Sequence, residues 1–233
     1  MPNPLEQAAV KYGTDKRAAL HGYTCTYHRH LAPLRERVAT VLELGIHKGA
    51  SLLMWKEYFP QAVVHGLDIA GAPRGLNGKV GRTRIICHRG NQIHKKVTDA
   101  IADACGGTID IVVDDASHRD EDQKRSFLNL WPRVTPGGYY IVEDVCCNYW
   151  DSFGNQWPPH EGATINFLRG LVHDVNFRGH RVDPDSKHPM NVRRPKALIA
   201  DLQERFPNTD MDLTIEEIVF ANSTVLLRKR GDL

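Results

Sequence analysis

The strongest constraint on this chain is a regular alternation of short Val- and Ile-rich runs with segments of helical periodicity. The runs are Thr40 to Leu44, Val63 to Asp68, Arg84 to His88, Ile109 to Asp114 and Tyr139 to Glu143. They carry apolar residues on both faces, as strands buried between two helical layers do. Between them, Ala50 to Phe59 and Ile93 to Ala104 repeat apolar residues at three- and four-residue spacing, and Asp120 to Trp131 is a third helix ending before Pro132. Such an order demands a mostly parallel α/β sheet with helices on both faces. Thr135-Pro136-Gly137-Gly138 reads as a tight turn feeding the fifth strand. Leu213 to Phe220 and Thr224 to Arg228, separated by Ala221-Asn222-Ser223, read as a terminal antiparallel hairpin, which brings the sheet to seven strands.

Two regions stand outside this pattern. Residues 1–38 are helical in part, with Tyr23, Tyr27, Leu31 and Leu34 at helical spacing. Residues 145–160 form a long irregular stretch carrying Tyr149, Trp150, Phe153 and Trp157, which predicts a substrate lid. A helix is expected over Glu161 to Phe177, with Ile165, Leu168, Leu171 and Val172 on its core face. At 233 residues the chain holds one full domain, so residues 1–38 are expected as a cap over the cofactor and 39–233 as the catalytic domain.

A net charge of +2 gives no footing for nucleic acid or a membrane surface. The basic clusters at 193–196 and 228–230 read as solvated faces. No apolar run reaches the ~20 residues of a membrane span, and the first residues lack the pattern of a secretory signal. Five cysteines without a C-x-x-C argue against a disulfide framework or a zinc site, so a cytoplasmic location is expected. A homo-oligomer is left open.

The first strand ends in Glu43-Leu44-Gly45, and Gly45-x-x-x-Gly49 then opens a helix at Ala50-Ser51. Glycines there permit close approach of a ligand to backbone. The G-x-G-x-x-G of dinucleotide enzymes is absent, which weakens a nicotinamide or flavin reading. The second strand ends at Asp68, placed to accept hydrogen bonds from a ribose diol; Asn91 and Gln92, after the third strand, are expected near an adenine.

Strands four and five deliver paired acids, Asp114-Asp115 and Glu143-Asp144, at ends where open α/β sheets bind ligands. Converging carboxylates repel, and a hard divalent cation such as Mg²⁺ relieves the repulsion. His118, three residues past Asp115, is a candidate general base.

The chain resembles the Mg²⁺-dependent sugar O-methyltransferases of natural-product (antibiotic) biosynthesis, which act on macrolide, aromatic polyketide and related glycosides. The resemblance is carried by Gly13-Thr14-Asp15-Lys16, His21-Gly22-Tyr23 and Tyr27; by Glu43-Leu44-Gly45 through Trp55-Lys56-Glu57-Tyr58-Phe59-Pro60; and by Asp114-Asp115-Ala116-Ser117-His118 and Gly137-Gly138-Tyr139-Tyr140-Ile141-Val142-Glu143-Asp144. It implies a Rossmann-like class I methyltransferase fold, S-adenosylmethionine and Mg²⁺ as cofactors, and a sugar or cyclitol hydroxyl of a small-molecule acceptor as substrate. It implies Asp115, Glu143 and Asp144 as metal ligands and His118 as base. Thr14 and Lys16 would close over the cofactor, joined there by Glu43, Gly45, Gly49, Ser51, Asp68, Asn91, Gln92 and Asp114. A metal-dependent hydroxylase of the cephalosporin-hydroxylase type and a non-catalytic S-adenosylmethionine-binding protein are the alternatives. The acceptor itself is not legible.

Overall fold

The computed structural model describes residues 3–73, 76, 83–175 and 214–231. The chain opens with α1 (Pro4–Tyr12), whose first turn is capped by the Asn3 side chain accepting from Leu5 and Glu6 amides and whose end turns at left-handed Gly13. Next come α2 (Tyr23–Leu31) and a 3₁₀ turn, Ala32–Leu34. The alternation then follows as β1 (Thr40–Leu44), α3 (Ala50–Tyr58), β2 (Val63–Asp68), β3 (Ile85–Arg89), α4 (Lys95–Ala104), β4 (Ile109–Asp114), α5 (Asp120–Leu130) and β5 (Val134–Val142). After two 3₁₀ turns, Val145–Tyr149 and Asp151–Phe153, come α6 (Thr164–Gly170), α7 (Val172–Val175), β6 (Ile215–Ala221) and β7 (Thr224–Lys229).

The seven strands form one sheet in the order β3-β2-β1-β4-β5-β7-β6. β1 to β5 are parallel, and β7 runs antiparallel to both β5 and β6. The Rossmann-like α/β reading is therefore correct, down to the terminal hairpin. One core packs α1, α2 and α3 on one face through Leu5, Tyr27, Leu31, Trp55 and Ile111. The other packs α4, α5 and α6 on the opposite face through Leu42, Ile101, Val112, Phe127, Tyr140 and Leu168. Residues of α1 and α2 thus share the core of the sheet.

Several element bounds differ from expectation. Thr135 to Gly138 is part of β5, and the pairing with β4 shifts register between Ile109 and Ile111. Gly138 serves close packing there, since a Cβ on it would meet the Asp110 carbonyl oxygen at 2.5 Å, whereas Gly137 supplies a left-handed φ of +79°. The helix expected over 161–177 is two short pieces ending at Val175, and its last two residues lie outside the described ones, as do Leu213 and the basic cluster at 193–196. No helix among the described residues is long and apolar enough to cross a membrane.

Candidate active site

Parallel strands end together, and their carboxyl edge gathers the chemistry-bearing residues of this chain. At one end of that edge, β1 runs into a turn at Gly45, whose amide donates to the Leu67 carbonyl at 2.8 Å. Asp68 Oδ2 accepts from the amides of Ile46 at 2.9 Å and His47 at 3.3 Å, and its Oδ1 accepts from Ala70, so the strand-end acid braces the glycine turn. Gly45 has φ +91°, and a Cβ there would collide with the backbone of Asp115 and Ala116. Gly49, also left-handed, precedes α3. Asn91 caps its own turn by accepting from the Ile93 amide at 3.1 Å, while the adjacent Gln92 Nε2 is buried without a partner among the described residues.

At the other end, Asp115, His118 and Asp144 bring one ligand atom each within 4.8 Å of one another. His118 Nε2 lies 3.9 Å from Asp115 Oδ1 and 3.6 Å from Asp144 Oδ2. Both His118 (φ +55°) and Asp144 (φ +51°) occupy the left-handed region, a strain of order 1–3 kcal/mol that structures retain mainly where function requires it. His118 Nδ1 is buried without a partner among the described residues.

Beneath this trio lies a charge network. Lys16, 1% exposed, reaches Glu143 Oε2 at 2.6 Å and Glu43 Oε1 at 3.4 Å and makes a short contact with Asp115 Oδ2. Tyr27 donates to Glu143 Oε1 at 2.8 Å, Tyr23 donates to Asp144, and Gln123 donates to the Glu143 carbonyl. Burial disfavours the Lys16 ammonium, but Asp115, Glu143 and Glu43 outweigh it and hold its pKa well above the ordinary value. Burial lifts Glu43 to about 7 against the pull of Lys16, and lifts Asp114, whose Oδ2 accepts from Tyr140 at 3.1 Å, to about 8. Glu143 is raised by burial and then by Asp115. One ammonium thus serves three carboxylates, with Asp144 alongside; burial pushes Glu43 and Glu143 toward their protonated forms, and a hard cation would favour their ionisation.

The sequence-derived candidates therefore sort into two ends. Gly45, Gly49, Asp68, Asn91 and Gln92 lie around the β1–β3 strand ends. Asp115, His118 and Asp144 cluster past β4 and β5. Of the two expected at the cofactor, Lys16 reaches the acids Asp115, Glu143 and Glu43, and Glu43 holds Lys16 and Ser51. Ser51 donates to Glu43 at 2.7 Å, and Thr14 Oγ1 faces the Lys16 amide at 3.5 Å. Glu143 stands outside the three-residue group, held by Lys16 and Tyr27. Sequence reasoning assigned no role to Tyr23, Tyr27 or His21, whose Nδ1 is 3.9 Å from Asp144. The available signal was the four-residue spacing of the two tyrosines, which puts both hydroxyls on one side of α2.

The stretch 145–160 folds over the same edge. Phe153 meets the His118 ring edge-on at 6.2 Å, Trp150 lies 6.1 Å from Phe153, and Tyr149 packs on Trp157, which is 79% exposed. His160 Nε2 lies 3.1 Å from Asp120, and Lys124 donates to the Gly162 carbonyl, tying the stretch to α5. Between them lies a cleft of about 660 Å³ walled by Ser117, Arg119, Lys124, Phe153 and His160.

Residues 42–145 match a family described as methyltransferase domain. The chain is 37% identical to the 8-demethyl-8-alpha-L-rhamnosyl tetracenomycin-C 2'-O-methyltransferase of Streptomyces olivaceus, over 82% of this chain and 48% of that one. It is 35% identical to the mycinamicin VI 2''-O-methyltransferase of Micromonospora griseorubida, over 78% and 46%. It superposes on the MycE methyltransferase from the mycinamycin biosynthetic pathway, solved with Mg and SAH, with a TM-score of 0.78 and 28% identity, covering 99% of this chain and 55% of that one. The chain spans about half the length of these relatives.

Proposed function

Because the chain carries a methyltransferase domain and its homologues are sugar O-methyltransferases of macrolide and tetracenomycin biosynthesis, we propose that it methylates a sugar hydroxyl of a glycosylated natural product. The observation that carries this reading is the Asp115–His118–Asp144 group beside the glycine turn at Gly45, in a chain that superposes on a methyltransferase solved with Mg and SAH.

The residues present suit both groups. The carboxylates of Asp115 and Asp144 are oxygen donors for a hard divalent cation, and the acids crowded around Lys16 favour one. We assign Asp115 and Asp144, with Glu143 behind them, to hold it. The glycine turn, Asp68 and the unpartnered Gln92 Nε2 suit the nucleoside of S-adenosylmethionine. When bound, the cation acidifies a coordinated hydroxyl and the sulfonium supplies an activated methyl group.

The work of the chain's own residues follows. An alkyl hydroxyl does not ionise unaided at neutral pH, so a base must take its proton in the transition state. His118 Nε2 is the atom that faces the carboxylates, and it accepts that proton. Asp115 Oδ1 and Asp144 Oδ2 lie 3.9 and 3.6 Å from that nitrogen, so the base sits beside the proposed cation seat. Phe153 shields one side of the ring, and Trp150 and Trp157 offer aromatic faces to an acceptor ring, the lid role assigned to 145–160. The donor set holds one histidine, whereas the iron triad of a hydroxylase takes two.

The test is methyl transfer from S-adenosylmethionine to rhamnosylated and olivosylated polyketides, with Mg²⁺ or with EDTA. EDTA, Asp115→Ala and His118→Ala should each remove at least 100-fold of the turnover, the order expected for loss of a general base. Full turnover of both variants in EDTA would refute the mechanism.

A further inference from the structure

The buried ammonium of Lys16 is not accounted for by methyl transfer itself. It arrives from the turn between α1 and α2, far in sequence from its partners, and that turn is firmly anchored. Glu6 on α1 accepts from the Ala18 amide and from Thr24, Asn3 donates to the Thr24 carbonyl, and Gly13 closes α1 in a left-handed turn. Lys16 is thus delivered to a fixed place.

Its contacts are one-sided. Lys16 takes Oδ2 of Asp115 and Oε2 of Glu143, while Asp115 Oδ1 is the oxygen that faces His118. A carboxylate gripped at one oxygen cannot swing, so the free oxygen keeps its direction. The third contact, to Glu43, ties the same ammonium to the foot of the glycine turn through Ser51 at the start of α3.

We propose that Lys16 is a positioning residue for the cation seat: it holds Asp115 and Glu143 from behind, so that residues 14–27 must be docked for a divalent cation to bind tightly. This rests on the reading of Asp115 and Asp144 as the cation's ligands. It differs from the role that sequence suggested for Lys16, contact with the cofactor, and the two roles predict opposite outcomes in one experiment.

Lys16→Met keeps most of the side chain's length and removes the charge. Titrating Mn²⁺ by electron paramagnetic resonance and SAH by calorimetry, each on the full chain, should show Mn²⁺ affinity falling 10- to 100-fold, the usual cost of removing a partner that orients a metal ligand. SAH affinity measured without metal should stay within about 3-fold. Unchanged Mn²⁺ affinity with weakened SAH would overturn the proposal in favour of cofactor contact. Tighter Mn²⁺ binding would overturn it too, by making the ammonium a competitor for the cation. If wild type binds no Mn²⁺, the cation reading falls and this inference with it, whereas binding by wild type and variant alike sinks the inference alone. Should the variant fail to fold, hydrogen exchange on wild type decides: Mg²⁺ should slow exchange across 14–27 as well as at 115–118 and 143–145. Protection confined to the latter two segments would overturn the proposal.

Discussion

Substituting Gly45 by Ala is the sharpest probe of how β1 and β4 are joined. An added Cβ would lie 2.8 Å from the Asp115 carbonyl carbon, 3.0 Å from Ala116 Cα and closer still to the Asp115 carbonyl oxygen. All three are backbone atoms, so no side chain can rotate away. Restoring ordinary contact near 3.5 Å at the closest of these atoms requires the 115–118 loop to retreat by more than 1 Å. Gly106 is a matched control, because it has the same φ of +91° with nothing within 4 Å of its would-be Cβ. Gly106→Ala should therefore show left-handed strain alone, about 1–2 kcal/mol. Gly45→Ala adds overpacking of roughly 1–3 kcal/mol, for a total of about 2–5 kcal/mol. Urea unfolding followed by circular dichroism measures both. The displaced loop carries Asp115 and His118, so turnover of folded Gly45→Ala should fall about 100-fold, the scale of a 1 Å misplacement. Equal destabilisation of the two variants, or wild-type turnover in Gly45→Ala, would refute the packing argument.

Tyr27→Phe keeps the ring contacts with Trp55 and Tyr23 but leaves Glu143 Oε1 without its donor, at a cost of about 1–3 kcal/mol. Tyr58→Phe, which loses a hydroxyl contact to the half-buried His28, should cost less in the same urea titration, and equal losses would mean that the phenol of Tyr27 does not stabilise Glu143. Acid stability should depend on His65, which is 3% exposed with Nδ1 3.0 Å from His88 Nε2 and is pushed down to about 4 by burial and by His88. The unfolded chain takes up that proton below pH 6.5 and the folded one does not, so the stability His65 supplies is full above pH 6.5 and lost as pH falls toward 4, roughly 3 kcal/mol in all. Glu43 and Asp114, raised by burial, act in the opposite sense as pH rises, so the measurable quantity is the difference between wild type and His65→Phe at pH 7 and pH 5. Parallel pH dependence in the two proteins would rule His65 out.

The strands were legible because residues buried on both faces are mostly apolar, and β1, β2 and β4 keep that pattern apart from Glu43, His65, Asp110 and the acids at the ends of β2 and β4. Asp115, His118 and Asp144 were legible as neighbours because adjacent parallel strands end at one edge, whatever their side chains do. The Pro136-Gly137-Gly138 signal misled because glycine serves a turn and a bulge equally, and only the neighbouring strand decides between them. Lys16 and Tyr27 were illegible for a different reason. Their partners Asp115 and Glu143 lie 99 to 127 positions away, and nothing local to 14–27 encodes where that segment docks.

That illegible docking decides the electrostatics of the site. Glu43 and Glu143 are each 1% exposed or less, and a buried carboxylate without a counterion is protonated or destabilising. A sheet alone would set these acids facing one another with nothing between them. Residues 1–38 supply what it lacks, an ammonium between Glu43, Asp115 and Glu143 and two phenol donors, from Tyr27 to Glu143 and from Tyr23 to Asp144. The same lysine touches the acid at the foot of the glycine turn and the acids of the proposed cation seat. The N-terminal segment therefore forms an inner wall around these acids.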